Sequence, residues 1–160
     1  MVTYTVTQKL ISLGAKYLVR TGESKDVIMT VKGRILSFTP KLEAIEGEDG
    51  SPVARMTGNL FKTKFEIFDN SDKVTATISF PFMAFVKRFT LTADGKTYQA
   101  KGGLIARKFS CLDESGKEVL TISKDFSFRD KFTINMDESF PKGSGILAAV
   151  AIDQRFFQDR

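Results

Sequence analysis

Six basic residues are the main candidates for chemistry in this chain. Lys16, Lys41, Lys64, Arg88, Lys108 and Lys131 recur at intervals of about 20–25 residues, and each opens a short alternating stretch. The copies read Lys16-Tyr17-Leu18-Val19, Lys41-Leu42-Glu43-Ala44, Lys64-Phe65-Glu66-Ile67, Arg88-Phe89-Thr90-Leu91, Lys108-Phe109-Ser110-Cys111 and Lys131-Phe132-Thr133-Ile134. A cation that opens every copy of a repeated unit is carried to the same place in each unit. Lys62, Lys87 and Arg107 lie close by in sequence. Such a set suits an anionic partner, since each Lys or Arg held near an anionic bilayer contributes about 1 kcal/mol. The competing reading is a set of strand ends whose aliphatic stems cover apolar surface while the charged heads stay in water.

The other candidates are poorer in chemistry. The chain has no histidine, which removes Ser-His-Asp and Cys-His catalysis, histidine metal ligands and the usual general base. Cys111 stands where Ile67, Leu91 and Ile134 stand in other units, so it reads as a core residue. Asp69-Asn70-Ser71-Asp72 spaces its oxygens like a calcium loop. It lacks the glycine and distal bidentate glutamate of an EF-hand, and reads as a turn. Gly102-Gly103 and Gly143-Ser144-Gly145 are too short to cradle a phosphate. Phe80-Pro81-Phe82-Met83-Ala84-Phe85-Val86 is the most apolar link. By its place in the unit, shared with Leu60-Phe61 and Leu104-Ile105, it reads as core packing rather than a membrane-inserting tip. Asp153 reads as a satisfied structural carboxylate. No catalytic residue, metal site or cofactor is expected.

The elements that position these residues are strands. Positions two and four of each unit share one face of a strand, because side chains alternate. Those positions hold Tyr/Val, Leu/Ala, Phe/Ile, Phe/Leu, Phe/Cys and Phe/Ile, which makes that face the core. Turn chemistry follows most copies: Glu48-Asp49-Gly50, Asn70-Ser71-Asp72, Asp94-Gly95 and Asp113-Glu114-Ser115-Gly116. Second strands are expected at Asp26–Val31, Pro52–Thr57, Lys73–Ser79, Lys96–Lys101 and Lys117–Ser123. The sixth unit lacks one, so Thr3–Lys9 is expected to supply the twelfth strand.

Near the C-terminus, Ile146 to Ile152 are apolar without interruption, with Ser144 before them as a candidate N-cap and Asp153-Gln154-Arg155 after. A helix apolar all round is buried. A run this short falls well below the roughly 20 residues of a membrane span, so it is a core helix. A barrel of about twelve strands is too wide to fill with its own side chains, since about eight are just filled. The expected fold is therefore mainly β: one domain over residues 1–160, an antiparallel closed barrel of about twelve strands around one buried hydrophobic C-terminal α-helix. Ile146, Leu147, Val150 and Ile152 are its expected core-helix residues. In such an up-and-down barrel the six repeat cations ring one mouth.

Composition sets broad limits. Apolar residues make up 42% and charged residues 27% of the chain, which is ordinary for a globular domain. The net charge of +5 permits anionic partners without demanding them. A single cysteine and no secretory segment after Met1 point to the cytosol. The absence of a prenylation box and of a glycine after Met1 excludes two common lipid anchors.

The opening Gln8-Lys9-Leu10-Ile11-Ser12-Leu13-Gly14-Ala15-Lys16-Tyr17, the Lys-Phe-x-apolar units and the closing Gly145-Ile146-Leu147-Ala148-Ala149-Val150-Ala151-Ile152-Asp153 resemble the LURP-one-related proteins and their bacterial YxjI-like relatives. The resemblance covers almost the whole chain. It implies the tubby C-terminal-like fold, shared with phospholipid scramblases: a twelve-stranded barrel around a hydrophobic C-terminal helix. Tubby domains bind phosphoinositides through basic residues, though no such residue maps onto a position here. The proline-rich N-terminal region and palmitoylated cysteine cluster typical of scramblases have no counterpart in this chain. The expected function is a non-enzymatic cytoplasmic binding or scaffold module, peripheral at membranes, that takes anionic phospholipid headgroups on the six basic residues. The alternatives are a protein–protein interaction or stress-response module without lipid affinity, and a small-ligand carrier or enzyme. The core parity of the aromatics argues against nucleic acid.

Overall fold

The structure is a computed structural model that describes residues 1–11, 14–34, 39–81, 88–102, 108–124 and 130–154. Twelve strands precede one helix: β1 (Val2–Ile11), β2 (Gly14–Thr21), β3 (Val27–Arg34), β4 (Lys41–Glu46), β5 (Pro52–Gly58), β6 (Lys64–Phe68), β7 (Val74–Ser79), β8 (Arg88–Ala93), β9 (Lys96–Gly102), β10 (Lys108–Leu112), β11 (Glu118–Lys124), β12 (Lys131–Met136) and α1 (Lys142–Ile152). Neighbours in sequence pair antiparallel, and β1 pairs with β12 to close the barrel. The strand missing from the sixth unit is therefore supplied by the N-terminus, as the repeat count predicts. Closure leaves no unpaired sheet edge.

Side-chain alternation separates core from surface. Tyr17 and Val19, Leu42 and Ala44, Phe65 and Ile67, Phe89 and Leu91, Phe109 and Cys111, and Phe132 and Ile134 are all buried. These are positions two and four of the six units. Because an aromatic follows the cation in most units, the aromatics gather just inside the mouth that the cations rim. Phe65 meets Phe80 edge-on at 5.9 Å, Phe80 lies 5.5 Å from Phe89, and Phe89 lies 5.9 Å from Phe109. Glycine makes room for these rings. Gly58 is opposite Phe65, and a Cβ there would lie 2.7 Å from Phe65 Cε1. Gly102 stands in the same relation to Phe109.

The helix fills the barrel. Ile146 to Ile152 are fully buried, so Ile146, Leu147, Val150 and Ile152 are core residues as expected. The start of the helix differs from the expectation. Its first residue is Lys142, with Pro141 before it and no side-chain cap; Ser144 is a buried residue of the first turn rather than the N-cap. Proline preset near helical φ can lead a chain into a helix without a cap. Gly145 lets the first turn approach the wall closely, since a Cβ there would collide with the Met136 side chain.

Strand boundaries differ from expectation by a residue or so at most ends, and by three at the end of β3. The larger correction concerns Leu60-Phe61. The link between β5 and β6 is not core packing: Leu60 is 59% and Phe61 66% exposed. Phe80 is buried, as expected of its link. Phe82–Val86, Leu104-Ile105, Lys87 and Arg107 lie outside the described residues.

Candidate functional site: a basic mouth

The even-numbered strands all run the same way, so their first residues lie at one mouth. Lys41, Lys64, Arg88, Lys108 and Lys131 are the first residues of β4, β6, β8, β10 and β12, and all are exposed. Lys16 is the third residue of β2 and is half-buried. All six point outward, on the parity opposite to the buried aromatics. They form a rim around the mouth rather than a patch on one flank. Across the ladder most face a hydroxyl: Thr57 for Lys41, Ser79 for Lys64, Ser123 for Lys108 and Thr7 for Lys131. Lys16 is opposite both Lys9 and Lys32, which puts three lysines in one row across β1, β2 and β3. Among the described residues, Lys16, Lys41, Lys64, Arg88 and Lys108 make no ion pair. Directly opposed like charges cost stability in a sheet unless something neutralises them.

Next to this rim, Lys32, Lys41, Glu43, Arg55 and Thr57 line an outer groove of about 580 Å³. Arg55 is held there by Asp72, Nη2 to Oδ1 at 2.6 Å, and lies 4.3 Å above the Phe68 ring.

The opposite mouth is acidic. Its turns carry Glu23 and Asp26, Glu48 and Asp49, Asp69 and Asp72, Asp94, Asp113 and Glu114, and Asp137 and Glu138. Three of these turns share an Asp-x-Ser lock. Asp69 Oδ1 accepts the N–H groups of Ser71 and Lys73 at 2.8 and 3.1 Å. Asp113 Oδ1 accepts the Ser115 hydroxyl at 2.6 Å and the Lys117 N–H at 2.9 Å. Asp137 Oδ1 accepts the Ser139 hydroxyl and N–H at 2.6 and 2.9 Å. The Ser139 hydroxyl and N–H, then Lys117, hold Asp137 well below the usual carboxylate range. The Ser115 hydroxyl first, then the Lys117 N–H, lower Asp113. Asp69-Asn70-Ser71-Asp72 is a hairpin turn whose first carboxylate caps backbone N–H groups. The helix aligns with this partition of charge. Its positive N-terminal end lies at the acidic mouth and its negative C-terminal end at the basic one.

Sequence reasoning missed one pair. Lys124 ends β11 with its side chain turned inward, and its Nζ donates to Asp153 Oδ1 at 3.0 Å. The two side chains are 2% and 1% exposed. The visible signal was the parity of Leu120, Ile122 and Lys124, which places a lysine on the apolar face. This pair joins the end of the central helix to the wall just beneath the basic rim, and gives Asp153 its structural partner.

Cys111 is fully buried, and burial pushes its thiol up to about 12. The thiolate is the reactive form. At pH 8 we expect a thiol reagent to label the native protein on the order of a thousandfold more slowly than the urea-unfolded chain. Equal rates would show that the reagent reaches Cys111 in the barrel.

Among the described residues no three His, Cys, Asp or Glu side chains group to hold a metal ion, and no helix is long and apolar enough to cross a membrane. No curated protein matches the chain. The family model described as LURP-one-related matches residues 2–153, which include every strand and the central helix. A closed barrel of twelve strands around an apolar helix, together with that match over nearly its full length, shows that the chain belongs to the LURP-one-related family.

Proposed function

We propose that this protein is a non-enzymatic binding module that docks on anionic phospholipid surfaces with its basic mouth. The observation that carries the reading is the rim of outward cations at one end, opposite a mouth rich in carboxylates. A bilayer carrying phosphatidylserine or phosphoinositide attracts one end and repels the other, so the electrostatics fix orientation as well as affinity. At about 1 kcal/mol per cation near the surface, three or four engaged residues give measurable binding that salt weakens. The helix occupies the interior where a carrier would keep its ligand, which favours a surface function over a carrier or enzyme. A protein partner with an acidic face is the second reading, favoured by the Lys32, Lys41 and Arg55 groove. A cytoplasmic location, peripheral at the membrane, belongs to this proposal.

The test is co-sedimentation with liposomes at low and physiological salt. Binding to vesicles containing phosphatidylserine or phosphoinositide is expected, with none to phosphatidylcholine alone. The double variant Lys64→Glu, Arg88→Glu is expected to lose at least about tenfold in affinity. No pelleting at low salt would refute the membrane reading, and pull-down with acidic protein partners would then decide the second.

A further inference from the structure

The exposed Leu60-Phe61 pair lies at the tip of the β5–β6 hairpin, on the same mouth as the cation rim. Its neighbours are Lys62 and Lys64. Large apolar side chains this exposed are unusual among the described residues. Among the described residues, Val74 and Leu112 stand singly on strands that meet the acidic mouth, and Met1 begins the chain.

The hairpin is built to hold the pair outward. Asn59 Oδ1 accepts the N–H groups of Thr63 and Lys64 at 2.7 and 3.2 Å, and Asn59 Nδ2 donates to Thr63 Oγ1 at 2.6 Å. The Lys62 N–H donates to the Asn59 carbonyl at 3.1 Å, with Lys62 in the left-handed region at φ 54°. Both flanks are tied to neighbouring strand ends. The Gly58 N–H donates to the Pro40 carbonyl at 2.8 Å, and the Phe80 N–H to the Thr63 carbonyl at 2.7 Å. Asparagine at this place satisfies the turn with its own side chain. A turn already ordered in this way loses little conformational freedom when its tip enters another phase.

We propose that Leu60 and Phe61 form a wedge that inserts between the headgroups of an anionic bilayer while Lys62, Lys64 and the rim cations contact the phosphates. The inference rests on the membrane reading above and adds to it an apolar component that salt does not screen. Charge complementarity selects the bilayer as occupant. The wedge is flanked by cations, and most of the turn carboxylates lie at the far mouth.

The chain contains no tryptophan, so Phe61→Trp introduces a single indole reporter. With vesicles containing phosphatidylserine, its emission is expected to move to shorter wavelength and to be quenched by lipids brominated along their acyl chains. The double variant Leu60→Ser, Phe61→Ser is expected to bind about tenfold more weakly with an unchanged dependence on salt, whereas Lys64→Glu lowers that dependence. Circular dichroism of each variant checks that the barrel is intact. Pelleting of Phe61→Trp with an indole that stays in water would overturn the wedge and leave the surface reading standing. Full affinity in the double-serine variant would do the same. Failure of every variant and of the parent chain to pellet would overturn both.

Discussion

A chain that stops at Pro141 will not fold. Without α1 the barrel has a void where Ile146, Leu147, Val150 and Ile152 are fully buried. Each of those side chains contributes about 1.5–3 kcal/mol on burial, before any penalty for an empty cavity. A domain of this kind has only about 5–15 kcal/mol in total, so four losses of that size approach or exceed the whole. The wall cannot collapse to compensate, because its circumference is set by twelve paired strands and the core parity of all of them points at the missing helix. The measurement is far-ultraviolet circular dichroism and a urea melt of the truncated chain. We expect no cooperative transition and binding of a hydrophobic dye. A soluble, cooperatively melting product would refute the central role of the helix.

The second large effect concerns Lys124 and Asp153. Each carries a charge that water does not reach, and each compensates the other at 3.0 Å. Removing one partner takes from a buried charge the ion pair that compensates it. Asp153→Ala or Lys124→Ala is therefore expected to cost about 3–5 kcal/mol. Replacing both, as Lys124→Met with Asp153→Leu, removes two desolvation penalties together and is expected to recover most or all of that loss. Urea melts of the two single variants and the double variant measure this as a coupling energy. Two single-variant losses that simply add would show that the residues act independently and that the pair is not what fastens the helix to the wall.

The legible part of the structure was whatever depended on period. Alternation within Lys64-Phe65-Glu66-Ile67 and its five counterparts predicts both the strand and its inward face, and the repeat count predicts closure by the N-terminus. The helix was legible because seven apolar residues leave it no polar side. The illegible part depended on particular partners. Nothing local distinguishes Leu60-Phe61, exposed at a hairpin tip, from Phe80, which is buried against Phe65 and Phe89. What accompanies the exposed pair is a turn closed by the Asn59 side chain on Thr63 and Lys64, a contact between particular partners that no periodicity announces. Lys124 and Asp153 are far apart in sequence, so their contact appears only once helix and barrel are assembled. For the candidate site, the shared mouth of the six cations followed from strand direction. The acidity of the other mouth was readable in the same turns, Asp113-Glu114-Ser115-Gly116 among them, but only when they are counted together.

The pairing of β1 with β12 also has a consequence for synthesis. The Thr3 hydroxyl donates to Asn135 Oδ1, a contact between residues 132 positions apart. As the ribosome extends the chain at roughly 5–20 residues per second, β1 waits on the order of 10 s for the strand that closes the seam. The helix that fills the interior emerges later still. Through that interval the inward faces of Val6, Tyr17 and Phe65 lack their central partner, and the growing sheet ends in an open strand that another nascent chain can pair with. Closure of this barrel therefore waits for β12 and α1, and until both have emerged the nascent chain exposes an open strand edge and an unfilled core face.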